Sequence, residues 1–128
     1  MVQSKISLKV NSTELKNMLN KVDNLINESS VYMAEEMKKS IKSGAKSGRR
    51  YGTHTSSAPG QSPANWTGKL LNSIKIQKTK GIAFVYITAK YAEFLEFGTS
   101  KMRPRPFIFP AFIKTKKMIQ DKLKRMRK

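Results

Sequence analysis

The chain has no cysteine, a single histidine and only 8 acidic residues in 128. The missing cysteines exclude a disulfide framework, a thiolate metal site and a cysteine nucleophile, and they fit a reducing compartment. The lone histidine, His54, lies in a polar, glycine-rich stretch. A catalytic base needs partners that position it, and a metal needs several converging ligands. His54 therefore reads as a surface residue. Glu35 and Glu36 are adjacent and point apart on a helix, while Glu93 and Glu96 share a helical side with nothing nearby to complete a site. Gly68-Lys69 does not make a phosphate loop, because Pro63 stands where the first glycine belongs and Leu70 replaces the Ser or Thr. The expectation is a protein that is not an enzyme and carries no cofactor and no metal. No apolar run approaches the roughly 18 residues that cross a bilayer. Residues 1–10 alternate polar and apolar types and lack the apolar core of a signal peptide. The expected setting is a cytoplasm, without a membrane partner.

Basic residues are what the chain has in excess. Lys and Arg number 26, giving a net charge of +18. Such a surface repels copies of itself and attracts polyanions. Non-specific nucleic-acid binding is thus one reading of function. Lys46, Arg49 and Arg50 on the polar stretch, with Lys101 and Arg103 further on, are its candidate contacts with DNA or a protein partner. Residues 114–128 are also rich in lysine and arginine, in the manner of a solvated helix face.

Hydrophobic spacing predicts the elements. Ile6, Leu8 and Val10 share one face of a short strand. Asn11 and Glu14 form a capping-box pattern. From Ser12 to Lys42, Leu15, Leu19, Val22, Ile26, Met33, Met37 and Ile41 recur at helical spacing without Gly or Pro. The stripe weakens at Asn27 to Ser30, where a break is the alternative. A helix this long exceeds what one small core covers, so its end calls for a neighbour. Residues 43–65 carry glycine, proline, serine and threonine with almost no apolar side chains, and read as a flexible basic loop. A short element at Trp66 to Ser73 leads into a hairpin of Ile74 to Thr79 and Ile82 to Thr88, turning at Lys80-Gly81. The second hairpin strand has apolar residues on both faces and is expected to be central. One or two helical turns at Tyr91 to Phe97 end at Gly98. Phe94, Phe97 and Phe107 are the expected anchors of that turn on the hairpin. A basic loop then enters a last helix near Pro106 or Phe107, with Ile108, Phe112, Ile119, Leu123 and Met126 as its apolar stripe. The predicted fold is a single α+β domain over residues 1–128. Its long N-terminal helix and C-terminal helix pack on a small antiparallel sheet of the hairpin plus the short N-terminal strand.

Two segments carry further information. One is Ser57-Ala58-Pro59-Gly60-Gln61-Ser62-Pro63-Ala64 with Thr67-Gly68-Lys69-Leu70-Leu71-Asn72-Ser73-Ile74. The other is Tyr91-Ala92-Glu93-Phe94-Leu95-Glu96-Phe97-Gly98-Thr99, followed by Arg105-Pro106-Phe107 and Pro110-Ala111. In this order they resemble the head–tail joining, or tail-completion, proteins of long-tailed bacteriophages and prophages. Ser62 departs from the proline expected there, and the net charge is high for the group. The resemblance implies a structural subunit of the virion neck, made in the host cytoplasm. Such proteins form rings, often of six copies, between a head connector and tail-terminator or tail-tube proteins. It assigns Pro59, Gly60, Thr67, Gly68, Tyr91, Glu96, Phe97, Gly98, Thr99, Arg105, Pro106, Phe107 and Pro110 to structure or interaction. Asp23, Glu28, Glu35 and Glu36 on the long helix are expected to face basic residues of the next copy in a head-to-tail ring.

Overall fold

The computed structural model describes residues 12–43, 46–48, 50–51, 54–64 and 68–126. The expected strand at residues 5–10, the Asn11 cap, Arg49 and Thr67 lie outside the described residues. Within them the chain is α+β. Helix α1 spans Ser12–Ser43, and the two-residue strands β1 (Arg50–Tyr51) and β2 (His54–Thr55) pair antiparallel. Helix α2 (Lys69–Ser73) leads into the hairpin of β3 (Ile74–Thr79) and β4 (Ile82–Ile87). Helix α3 (Ala92–Phe97) and the long helix α4 (Ile108–Met126) complete the order.

α1 does not break at Asn27 to Ser30. Ser29 Oγ donates to Leu25 O at 2.6 Å and Ser30 Oγ to Asn27 O at 2.8 Å. Both hydroxyls are buried and satisfied within their own helix, so the polar interruption costs little. The small side chains have a packing role. Ser29, Ser30 and Ala34 are buried on α1, and Ala111 and Thr115 on α4, the two helices being in contact. Thr115 Oγ1 likewise donates to Ala111 O at 2.7 Å. Two ion pairs set the helix direction. Glu36 meets Lys114 at 3.3 Å, and Glu28 meets Lys122. Equal steps along both helices in opposite senses make α1 and α4 antiparallel. Glu28 and Glu36, two of the four acids expected to face a neighbour, are thus engaged by the chain's own α4.

The hairpin lies against α1. Its register pairs Ile74 with Ile87 and Ile76 with Val85, and alternation puts these four on one face. Ile74 is buried, and the other three pack against the core. The core itself is modest: Ala34, Met37, Ile41, Leu70, Ile74, Ala92, Phe107 and Ala111. β4 is not central. Among the described residues it pairs with β3 alone, and Ile82, Phe84 and Tyr86 are exposed. Apolar residues on both its faces suggested two covered faces, but only one is covered within the chain.

The buried line of α4 also differs from its expected stripe. Phe107, Ala111 and Thr115 are buried at four-residue spacing, while Phe112, Leu123 and Met126 stay exposed. Within α4, the buried positions that face α1 carry the small side chains of Ala111 and Thr115.

Candidate interaction surface and the clamp beneath it

The Glu-Phe-Gly-Thr turn and the Arg-Pro-Phe entry to α4 form one hydrogen-bonded unit. A helix start leaves its first amides without intrahelical partners. None of Arg105, Pro106 and Phe107 is a residue type that caps a helix from the Ncap position. The acceptor comes from α3. Glu96, only 8% exposed, takes Phe107 N at 2.8 Å and Ile108 N at 2.9 Å on Oε2, and Phe109 N at 2.8 Å on Oε1. One carboxylate thus satisfies successive amides and sits at the positive end of the α4 dipole. Pro110, in the first turn of α4, has no N–H to satisfy.

Gly98 makes this reach possible. Its φ is +77°, a conformation that side chains disfavour. A Cβ there would come within 2.8 Å of Met102 O and 2.9 Å of Pro104 N. Beyond it, Thr99 N donates to Met102 O at 2.8 Å, Lys101 N to Thr99 Oγ1 at 3.2 Å, and Arg105 N to Leu95 O at 2.6 Å. Tyr91 precedes α3 and accepts Leu95 N at 3.2 Å through its carbonyl.

The Pro59-Gly60 loop joins the same unit. Gly60 N donates to Pro104 O at 2.9 Å, and Arg105 Nε to Ser57 O at 3.2 Å. The two segments separated in sequence are therefore brought together, with Ser57 and Pro63 buried. Gln61 Oε1 accepts Ser47 N and Ala58 N, each at 2.9 Å. In their described part, residues 43–65 make polar contacts in place of the apolar ones they lack. Gly68, with φ +79°, starts α2 and accepts Asn72 N at 2.9 Å.

The candidate basic contacts divide. Lys46 Nζ donates to Ser40 O at 3.1 Å and to Ser62 O and Oγ, both at 2.8 Å. Its donors are spent inside the chain, and burial pushes its pKa below the ordinary lysine value. Ser62, the departure from proline noted above, is the residue that receives it. Arg50, Lys101 and Arg103 are exposed. Exposed Lys116, Lys117, Lys124 and Arg125 on α4 add to the basic surface.

Large apolar side chains on the two joined helices are exposed. Phe97 is 79% exposed and Phe109 61%, with Phe94 and Phe112 about half exposed. Phe109 and Phe112 stack with ring centroids 6.5 Å apart. Of the three expected anchors, only Phe107 is buried; Phe94 and Phe97 face outward. The clamp explains this, because α3 turns Ala92 and Glu96 inward and leaves Phe94 and Phe97 outward. An apolar groove of about 550 Å³ opens between α1, β4 and α4, lined by Ile26, Met33, Val85, Phe112, Ile119 and Leu123 among others.

Glu96 is among the residues that the resemblance assigns to structure or interaction, and the signs of its capping role in the sequence are an uncapped helix start behind Pro106 and an acid set among apolar residues on a short helix. Among the described residues, no group of three or more His, Cys, Asp or Glu is placed to hold a metal. No described helix is long and apolar enough to cross a membrane. Comparison with protein-family models, curated proteins and solved structures finds no match to this chain.

Proposed function

We propose that this chain is a structural assembly subunit of the neck of a tailed bacteriophage, joining head connector to tail as one copy in a ring. The observation that carries an assembly role is the exposure of Phe94 and Phe97 on α3 and of Phe109 and Phe112 on α4, the two elements that Glu96 joins. Large apolar side chains left exposed on a charged chain mark an interaction site. The Glu96 clamp holds these side chains on a rigid helix junction, which lowers the ordering cost of binding. The outer face of β4, with Ile82, Phe84 and Tyr86, offers a second apolar patch. Two different patches suit a head-to-tail contact, which closes into a ring when the rotation allows. With a charge of +18, like-on-like packing of basic surfaces is unfavourable.

The neck assignment rests on the ordered motif pattern from Ser57 to Ala111. Its partners would be further copies of itself, a connector, and tail-terminator or tail-tube proteins. The test is to tag the chain in phage particles and image them by negative stain. Label at the head–tail junction supports the proposal, and particles lacking the chain refute it.

A second reading, non-specific nucleic-acid binding, is favoured by the exposed basic side chains of α4. It accounts for the charge but gives no role to these exposed phenylalanines. The two readings are compatible if DNA passes the basic surface in the assembled neck.

A further inference from the structure

The hairpin turns one face to the core and leaves the other uncovered among the described residues. Strand alternation sets Lys75, Gln77 and Thr79 of β3 and Ile82, Phe84 and Tyr86 of β4 on the side opposite the core, and all of them are exposed. Two are aromatic, with Phe84 55% and Tyr86 44% exposed. The register sets Gln77 across from Phe84 and Lys75 across from Tyr86. Side chains paired across strands in this way lie within reach of one another. The hairpin is also free of negative charge. Residues 74–90 carry Lys75, Lys78, Lys80 and Lys90, and no Asp or Glu occurs between Glu36 and Glu93.

We infer that this face is a stacking platform for single-stranded nucleic acid, with Phe84 and Tyr86 each taking one base and Lys75 meeting the phosphate backbone. Such a strand offers flat apolar bases joined by anionic links. A surface that sets aromatic rings beside cations suits both parts, whatever the base. Spacing selects a single strand over a duplex. Phe84 and Tyr86 stand two residues apart on one face of β4, about 7 Å along the strand. Bases in a duplex repeat about every 3.4 Å along each strand, stacked on one another. An unstacked single strand opens to the wider step and gives one base face to each ring.

Charge decides between this occupant and a protein. A second copy brings the same lysines and the same net charge of +18, and is repelled. A protein interface core is depleted of charge, whereas this face sets Lys75 directly across from one of its rings. The platform uses other residues than the α4 surface of the second reading, which would meet duplex backbone. It does not depend on the neck assignment; in a ring built through β4, the neighbouring copy and the strand would exclude one another.

The test is fluorescence anisotropy of the full chain with a labelled oligothymidylate, single-stranded or annealed to its complement. Phe84→Leu with Tyr86→Leu keeps the face apolar and removes both rings. This variant should bind the single strand roughly tenfold or more weakly than the parent, with duplex affinity unchanged, as expected when stacking alone is lost. Phe84→Tyr with Tyr86→Phe keeps both rings and should bind as the parent does. Unchanged single-strand affinity in the leucine variant, or equal weakening toward strand and duplex, overturns the inference. An equal single-strand loss in Phe97→Ser with Phe109→Ser overturns it too, by placing the strand on α3 and α4. A second readout needs no variant. Photo-cross-linking of the parent chain to a single strand carrying iodouracil should attach at Phe84 or Tyr86. Attachment only at residues outside the hairpin contradicts the platform.

Discussion

Glu96 accepts the backbone N–H of Phe107 at 2.8 Å from eleven residues upstream, and so fastens α3 to the start of α4. The same carboxylate serves Ile108 and Phe109. Its removal strands several amides at a buried helix start. Glu96→Ala should lower stability by about 3 kcal/mol, and Glu96→Gln, which keeps an acceptor without the charge, by about 1–2 kcal/mol. Glu93→Ala, at an exposed position on the same helix, should stay within about 0.5 kcal/mol. Urea unfolding followed by circular dichroism gives all three values. Equal losses at Glu96 and Glu93 would show that the clamp contributes nothing.

Gly98 and Gly81 separate conformational strain from steric clash. Both have φ near +80°, at +77° and +81°. A Cβ at Gly81 meets nothing within 4 Å, whereas one at Gly98 meets backbone at 2.8 Å. Gly81→Ala should cost about 1 kcal/mol for the backbone conformation alone. Gly98→Ala should cost at least about 2 kcal/mol more, because Met102 and Pro104 must move. Denaturant midpoints of the two variants, measured side by side, check the difference.

Lys46 supplies a pH-dependent contribution of known sign. Burial holds its folded-state pKa below 10.5. Between those two values the unfolded chain binds more protons, so stability gained from this group rises with pH. The stability difference between the parent chain and Lys46→Met should therefore shift in favour of the parent as pH approaches 10.5 from below. Paired unfolding curves across that alkaline window test it, and a shift in the opposite sense contradicts the burial described for Lys46.

Where hydrophobic spacing was unambiguous, the sequence was readable. The 32 residues of α1 lack Gly and Pro and keep a helical stripe. The hairpin announced itself through Ile74 and Ile76 against Val85 and Ile87 around a Gly81 turn. Spacing failed where a residue's partner is remote. Ser29 and Ser30 looked like a weak point because their hydroxyl acceptors lie in the preceding turn of their own helix. The acceptor role of Glu96 is not legible in spacing, because its amides are brought near only by the fold. Phe94 and Phe97 looked like core because apolar type does not reveal which side of a short helix faces inward. The polar contacts that Lys46, Gln61 and Arg105 make to residues 43–65 leave no apolar signature.

Any binding to DNA should be independent of base sequence and fall steeply with salt. Each phosphate contact contributes a slope of about −0.9 in log affinity against log salt on duplex DNA. Replacing exposed Lys117, Lys124 and Arg125 by Glu should flatten that slope if α4 meets the backbone. Fluorescence anisotropy with two unrelated duplexes at several salt concentrations measures it. Tight binding to one sequence that persists at high salt would favour a dedicated nucleic-acid-binding protein.

The role of the exposed phenylalanines is tested most directly by Phe97→Ser combined with Phe109→Ser. Both side chains are largely exposed, at 79% and 61%, so the variant should keep the parent's circular dichroism and unfold within about 1 kcal/mol of it. The decisive measurement is the amount of this natively folded variant incorporated into phage particles, quantified by mass spectrometry beside the parent chain. Loss of incorporation by tenfold or more is the predicted result. Incorporation equal to that of the parent would contradict an assembly role for these side chains.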